Sequence, residues 1–116
     1  MGKSSRDKGK RGERELAALL RGLGFAGARR TAQYCGNSGE ADDVLGVDGL
    51  HIEVKRCETT KIPEWMAQAT RDCTDTENVP IVAHRRSREQ WLVTLPAIDF
   101  FQIYKEAQRD KEQPQA

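Results

Sequence analysis

The sequence has few cysteines and none in the spacing that a zinc site or a disulfide framework needs. Its three cysteines, Cys35, Cys57 and Cys73, are odd in number, widely separated and form no CxxC pair. Small secreted domains are cross-linked by paired cysteines, and structural zinc sites use closely spaced ones. Neither kind of protein is expected, and the pattern favours a reducing compartment such as the cytosol.

The sequence also lacks long apolar runs. No stretch approaches the roughly 20 apolar residues that span a bilayer, and the start of the chain does not resemble a signal peptide. We therefore expect no membrane association and a cytoplasmic location. The length of 116 residues is typical of one domain that buries its own apolar core.

Lysine and arginine are missing from residues 31–48, although basic residues outnumber acidic ones over the first 30 residues. The charged residues of that block are Glu40, Asp42, Asp43 and Asp48. A protein that binds a polyanion and holds a metal ion in an acidic pocket has this charge layout. A solvated basic tail that happens to precede an acidic segment would give the same pattern, so charge alone leaves both interpretations open.

The hydrophobic pattern predicts an α/β protein in the order α-β-β-β-α-β-β-α, with a mixed sheet. The predicted helices are at 10–23, from residue 63, and after Pro96, and the predicted strands are at 27–32, 43–46, 50–55, 79–83 and 91–95. Residues 1–9 are rich in Gly, Ser and Lys, which predicts a disordered basic tail. The predicted domain spans 10–108, and 109–116 form a polar tail.

The segment GLHIEVKR at 49–56 alternates apolar and ionisable residues. In a strand, Ile52 and Val54 would face the core, and His51, Glu53 and Lys55 would share the other face. A three-residue turn at 47–49 places Asp43 opposite Glu53, where two carboxylates repel unless a cation lies between them. A two-residue turn would instead place Asp42 opposite Lys55 and turn Asp43 towards the core, so the three-residue turn, which buries no charge and pairs Val44 with Ile52, is the predicted register. An exposed hairpin with cross-strand ion pairs is the alternative without a metal.

Glu13 lies on the apolar stripe of the first helix and supplies a third acid. A carboxylate near the start of a helix is stabilised by the helix dipole, so a purely structural role would also account for it. Lys10 and Arg11 precede it and could bind a phosphate backbone.

Asp43, the run Glu53-Val54-Lys55 and the helical glutamate in GERELAALL together resemble the PD-(D/E)xK nuclease superfamily. Within it, the arrangement is most similar to the archaeal and phage Holliday-junction resolvases, over about residues 10–95. An ExK triplet alone has little specificity, and its coincidence with the other two acids and the element order gives the resemblance its weight. Asp42 stands where the superfamily often has proline, which leaves the choice between Asp42 and Asp43 open.

The resemblance implies a restriction-endonuclease-like core, in which helices flank a mixed β-sheet, with an extra strand and a C-terminal helix. It implies a Mg²⁺-dependent DNA endonuclease, with Mn²⁺ as a substitute, that acts on four-way junctions as a homodimer. The implied metal ligands are Asp43, Glu53, the main-chain carbonyl of Val54, and Glu13, and the implied catalytic residues are these three acids and Lys55. The residues implied to contact DNA are Lys10, Arg11, Arg29, Arg30, Tyr34, Asn37, Ser38 and Gln68.

Two other functions remain open. The same site could serve a nickase, a repair nuclease or a restriction-type nuclease that acts on other DNA. A DNA-binding module without catalysis would share the basic residues, although it would gain nothing from acids beside phosphates. The implied location is the cytoplasm of a prokaryote or of a virus-infected host cell.

Overall fold

The elements follow the order that the sequence pattern predicts, α-β-β-β-α-β-β-α. A computed structural model describes residues 3–31, 43–74 and 76–112. The bounds are α1 Lys3–Gly22, β1 Arg29–Arg30, β2 Val44–Leu45, β3 Leu50–Arg56, α2 Ile62–Asp72, β4 Val79–Arg85, β5 Leu92–Thr94 and α3 Ala97–Glu112.

The five strands form one mixed sheet in the order β1-β2-β3-β4-β5. Strands β3 and β4 are parallel, and every other neighbouring pair is antiparallel. Parallel neighbours need a crossover connection between them, and α2 supplies it. The predicted α/β class with a mixed sheet is confirmed.

The first two helices cover opposite faces of the sheet. Leu16 and Ala17 of α1 pack against Ile52 and Val54 of β3 in one buried cluster. Trp65 and Ala69 of α2 pack against Val82 of β4 in a second cluster, on the other face. Because side chains alternate along a strand, the ionisable residues of β3 are on the face that α2 covers.

Helix α1 begins at Lys3, seven residues before the predicted start at residue 10. Lysine and arginine have high helix propensity, and a single glycine such as Gly9 costs only about 1 kcal/mol in a helix, so the helix extends through the Gly- and Ser-containing segment. At the other end, α3 extends to Glu112. The division into a domain at 10–108 with flanking tails stays a prediction. Over the described residues, no helix has the length and apolar character needed to cross a membrane.

Helix α3 contains no buried residue among those described, although it is rich in apolar and aromatic side chains. Five of them, between 44 and 76% exposed, form what we call the α3 apolar surface: Ile98, Phe100, Phe101, Ile103 and Tyr104. These positions extend over more than half of the helix circumference at 100° per residue. A helix that is apolar on most of its circumference is normally buried.

Candidate functional site

The polar face of β3 is buried. His51 and Glu53 are each only 2% exposed, and Lys55 is half-buried at the end of the same row. A buried carboxylate is costly unless it is hydrogen-bonded, paired with a charge or bound to a metal. The row therefore has a role beyond that of the solvated face of an exposed hairpin.

The hairpin that carries this row has the register of the three-residue turn. Val44 pairs with Ile52, as predicted. The turn places Gly49 at φ +88° and is closed by a 3.3 Å hydrogen bond from the Leu50 N–H to the Val47 carbonyl. Glycine adopts this backbone conformation without the steric cost that a side chain adds. Asp42, the residue that the two-residue turn would have used, is outside the described residues.

The hydrogen bonds of Asp43 differ from the simple cross-strand pairing with Glu53 that the register predicts. Its N–H donates to the carbonyl of Ile52 at 2.8 Å, although Ile52 is already opposite Val44. Asp43 and Val44 are thus both opposite Ile52. This arrangement is a β-bulge, which changes the direction of a side chain. The Asp43 carboxylate then accepts a hydrogen bond from the Val54 N–H, at 2.8 Å.

The Asp43 carboxyl group is in an environment that disfavours its charge. Burial, followed by the neighbouring Glu53 carboxylate, raises the pKa of Asp43 from 3.8 to about 7, and Glu13 adds to the effect. The hydrogen bond from the Val54 N–H acts in the opposite direction. Carboxylates forced together in this way either share a proton or bind a cation.

Glu13 approaches Asp43 from α1 and adds to the electrostatic effect on that carboxyl group. Its Oε1 accepts a hydrogen bond from the Arg30 guanidinium at 2.8 Å in a partly buried ion pair. The residue before it, Gly12, is where α1 comes closest to β3, since a Cβ on Gly12 would be 2.5 Å from the Cβ of Arg56. The absence of a side chain at Gly12 therefore allows Glu13 to reach the hairpin.

We expect Gly12→Ala to destabilise the protein by about 1–3 kcal/mol, because an added methyl group has no room against the first side-chain carbon of a β-strand. The change in unfolding free energy can be measured by chemical denaturation. Gly22→Ala is the matched control, since no heavy atom lies within 4 Å of a Cβ at Gly22. Equal or greater stability of Gly12→Ala would contradict the close approach.

Lys55 is held in place by α2. Its Nζ donates to the Oε1 of Gln68 at 3.0 Å, so Gln68 lies beside the end of the buried polar face of β3. Ala69, the next residue along α2, is fully buried. Such a small residue allows the helix to lie close enough to the sheet for the bond between Lys55 and Gln68.

Two comparisons with known proteins bear on this arrangement. Residues 4–115 match the model of a protein family described as "Phage putative PDDEXK endonuclease". The chain belongs to this family. The PD-(D/E)xK resemblance on which the sequence prediction rested is therefore confirmed, and the protein is a PDDEXK endonuclease.

This PDDEXK endonuclease also resembles a solved structure, that of Hjc from Archaeoglobus fulgidus, a Holliday junction resolvase from an archaeal hyperthermophile. The two chains are 28% identical, with a TM-score of 0.57, over 75% of this chain and 76% of Hjc. The likeness confirms the restriction-endonuclease-like fold. No curated protein matches the chain by sequence.

Two residues that lie close to Glu53 have no role predicted from the sequence. The sequence pattern assigns no role to His51, yet its Nε2 lies 2.9 Å from the Oε1 of Glu53 on the buried polar face of β3. Asp72 also has no role predicted from the sequence, yet it completes a group with His51 and Glu53 whose ligand atoms all lie within 4.8 Å of one another. The available signal was the spacing of Gln68 and Asp72, since residues four apart share one face of a helix.

The predicted DNA-contacting residues lie in three places. Lys10 and Arg11 are exposed on α1, and Arg29 is exposed on β1. Arg30 is paired with Glu13 and Gln68 is bonded to Lys55, so both are beside the acids. The remaining three, Tyr34, Asn37 and Ser38, are outside the described residues. The DNA-contacting role of the whole set stays a prediction.

The donor set is suited to a hard divalent cation. Asp43 and Glu53 supply carboxylate oxygens within hydrogen-bonding reach of each other. The N–H of Val54 donates a hydrogen bond to the Asp43 carboxylate. Mg²⁺ takes such oxygen ligands together with several waters. A cation at this position would relieve the repulsion that raises the pKa of Asp43.

Proposed function

We propose that this PDDEXK endonuclease hydrolyses phosphodiester bonds in DNA with a divalent cation, Mg²⁺ or Mn²⁺, held by Asp43, Glu53, the Val54 carbonyl and Glu13. The observation that carries the proposal is the close approach of the Asp43 and Glu53 carboxyl groups in a partly buried site. Such an arrangement is costly in a protein that only binds DNA, because the acids repel both each other and the phosphates.

The bound cation supplies a Lewis acid and a more acidic water for attack on the phosphate. Lys55, two residues beyond Glu53 on the same face, brings an ammonium group to the reacting phosphate. Its bond to Gln68 holds that charge in position before the reaction, and such preorganised charge stabilises a transition state that gains negative charge. Arg30 neutralises Glu13 and limits the repulsion between that acid and DNA.

The DNA backbone would run along the exposed basic residues at the edges of this site. Lys10, Arg11 and Arg29 are exposed, and such residues bind phosphates without regard to sequence. This arrangement supports binding of a DNA strand next to the acids, with the acids themselves reserved for the cation. Cleavage would take place in the cytoplasm of a prokaryotic or virus-infected host cell.

Branched DNA, and the four-way junction in particular, is the substrate that we propose. The likeness to Hjc, named as a Holliday junction resolvase, supports this choice. A junction has two-fold symmetry, and paired nicks across it need two active sites at a fixed separation. A two-fold homodimer meets that requirement.

The α3 apolar surface supports a second copy of this chain as the partner. Its five side chains leave on the order of 500 Å² of mostly apolar area exposed, at 150–250 Å² for each large side chain. This is a large share of the roughly 800 Å² that each partner buries in a typical interface. An apolar groove of about 740 Å³, lined by Met66, Ala67, Leu95 and Pro96 among others, lies beside the start of α3 and would receive the partner's helix.

We expect Phe101→Asp to convert a dimer into a monomer, because a charge in the centre of an apolar interface costs about 2 kcal/mol or more, at least a 30-fold rise in Kd. Light scattering after gel filtration measures the mass directly. Gln102→Asp adds the same charge at the exposed neighbouring position and should leave the dimer intact. A wild-type protein that is monomeric at high concentration contradicts the proposed partner.

The proposed function can be tested with labelled four-way junctions, flaps, linear duplexes and single strands, each incubated with the protein and Mg²⁺ or Mn²⁺. We expect paired, symmetric nicks in the junction and much slower cleavage of the other substrates. A preference for another substrate would overturn the junction proposal and leave the nuclease chemistry in place. Failure to cleave any DNA with either cation would overturn the proposed function itself.

A further inference from the structure

A second group of potential metal ligands lies next to the two hairpin acids. His51 and Glu53 come from β3, and Asp72 comes from the last turn of α2. One ligand atom from each residue lies within 4.8 Å of the other two. Within the described part of the chain, no other three His, Cys, Asp or Glu residues bring their ligand atoms this close together.

The group is a consequence of how α2 lies on the sheet. Lys55 meets Gln68, whereas the earlier residues of β3, His51 and Glu53, meet Asp72 one helical turn later. The helix therefore runs antiparallel to β3, and its i, i+4 face follows the alternating face of the strand. Three side chains that are separate in the sequence are brought together by this regular packing.

The electrostatics of the group favour a cation. Asp72 is the last residue of α2, where the helix dipole is negative and a carboxylate is unfavourable. It also faces Glu53, a second and almost fully buried carboxylate. The acids of the neighbouring site, Asp43 and Glu13, add negative potential, whereas Arg30 and Lys55 are already bonded to Glu13 and Gln68.

We propose that His51, Glu53 and Asp72 bind a second divalent cation, a transition metal such as Mn²⁺ or Zn²⁺, with the Glu53 carboxylate shared between this cation and the one beside Asp43. An imidazole with two carboxylates is a donor set that suits Mn²⁺ and Zn²⁺. Mg²⁺ prefers oxygen ligands throughout, so it would occupy the Asp43 side and leave the imidazole side empty. The inference rests on the proposed function only for the cation beside Asp43.

The distances fit an ion of this kind. Nitrogen and oxygen ligands lie about 2.0–2.2 Å from Zn²⁺, so two ligands of one ion are at most roughly 4.4 Å apart. The observed limit of 4.8 Å needs only a small rotation, and Asp72, which is exposed at the end of its helix, can supply it. His51 and Glu53 are already 2.9 Å apart and need no rearrangement.

The number of bound ions is the first test, measured by equilibrium dialysis of the full chain against Mn²⁺. We expect two ions per chain in the wild type and one in Asp72→Asn. Glu64→Gln is the matched control, since it neutralises an exposed acid on the same helix outside the site, and it should retain two. Asp43→Asn should lose the other ion and keep the one that depends on Asp72.

The same counts separate the two proposals. Stoichiometry that falls with Asp43→Asn but not with Asp72→Asn overturns the second site and leaves the proposed function intact. Stoichiometry that falls with Asp72→Asn but not with Asp43→Asn supports the second site and removes the metal from the proposed nuclease chemistry.

Coordination by His51 gives a second, independent readout. The chain has two histidines, and the other, His84, is bonded to Thr94 on a different pair of strands. Pulsed electron paramagnetic resonance of the Mn²⁺-loaded protein should show coupling to an imidazole nitrogen. His51→Gln should abolish that coupling and His84→Gln should preserve it. An Mn²⁺ spectrum without nitrogen coupling in the wild type overturns the proposal.

Discussion

Replacement of Glu53 by glutamine is expected to slow DNA cleavage by roughly a thousand-fold, in the range measured when a single preorganised group is removed from an active site. Glutamine has nearly the same volume and keeps an oxygen for the hydrogen bond with His51, so the fold should be retained. What it removes is the negative charge that the proposed cation needs. Rates under single-turnover conditions with saturating Mg²⁺ measure the effect on the chemical step.

Binding of the same DNA by Glu53→Gln separates chemistry from affinity. We expect affinity in the absence of metal to be equal to that of the wild type or greater, because one acid fewer faces the phosphates. Glu64→Gln makes the same substitution on an exposed part of α2 and should cleave at the wild-type rate. If the cleavage rate of Glu53→Gln lay within about ten-fold of the wild-type rate, this carboxylate would not hold the cation.

The hairpin was the part of the site that sequence could predict. Strand alternation gives the face of each residue, and a turn that ends in glycine gives the register, so the pairing of Val44 with Ile52 followed from local rules. The order of elements predicted a mixed sheet, since two strands joined through a helix can lie parallel whereas a hairpin is antiparallel. These features depend on neighbouring residues along the chain.

Contacts between distant segments were beyond such rules. The bulge at Asp43 depends on how β2 meets β3, and the sequence pattern predicted simple pairing with Glu53. The ion pair between Arg30 and Glu13 joins residues 17 positions apart, and nothing in either segment specifies the other. Asp72 reaches Glu53 only because the face of α2 that carries Gln68 and Asp72 lies on β3, and periodicity does not give that placement.

Helix α3 shows a further limit. Its sequence predicted a helix after Pro96, and within this chain none of its described residues is buried. Periodicity identifies an apolar face but does not state whether the same chain or another covers it. The sequence therefore predicted the helix correctly and left its partner open.

The stability of the metal-free protein should depend on pH through Asp43. Its pKa is raised to about 7 in the folded state, chiefly by burial and by Glu53, so the folded protein binds a proton that the unfolded chain has already lost. Stability is therefore unaffected by this group below about pH 4, falls as the pH rises between about 4 and 7, and carries the full penalty above that range.

Asp43→Asn removes the penalty, and its amide oxygen can still accept the Val54 N–H. In EDTA at about pH 8 the variant should be more stable than the wild type by up to about 4 kcal/mol, and the difference should vanish near pH 4. Urea denaturation at several pH values measures it. Asp48→Asn, in the exposed turn of the same hairpin, controls for the loss of one negative charge.

Addition of Mg²⁺ should remove the difference between the two proteins. A ligand at a thousand times its Kd stabilises the folded state by about 4.1 kcal/mol, and the wild type should gain this amount whereas Asp43→Asn should gain little. The repulsion that destabilises the metal-free protein is thus the same interaction that favours cation binding. If the wild type were more stable than Asp43→Asn in EDTA at high pH, the two carboxylates would have to be farther apart, or better solvated, than the structure shows.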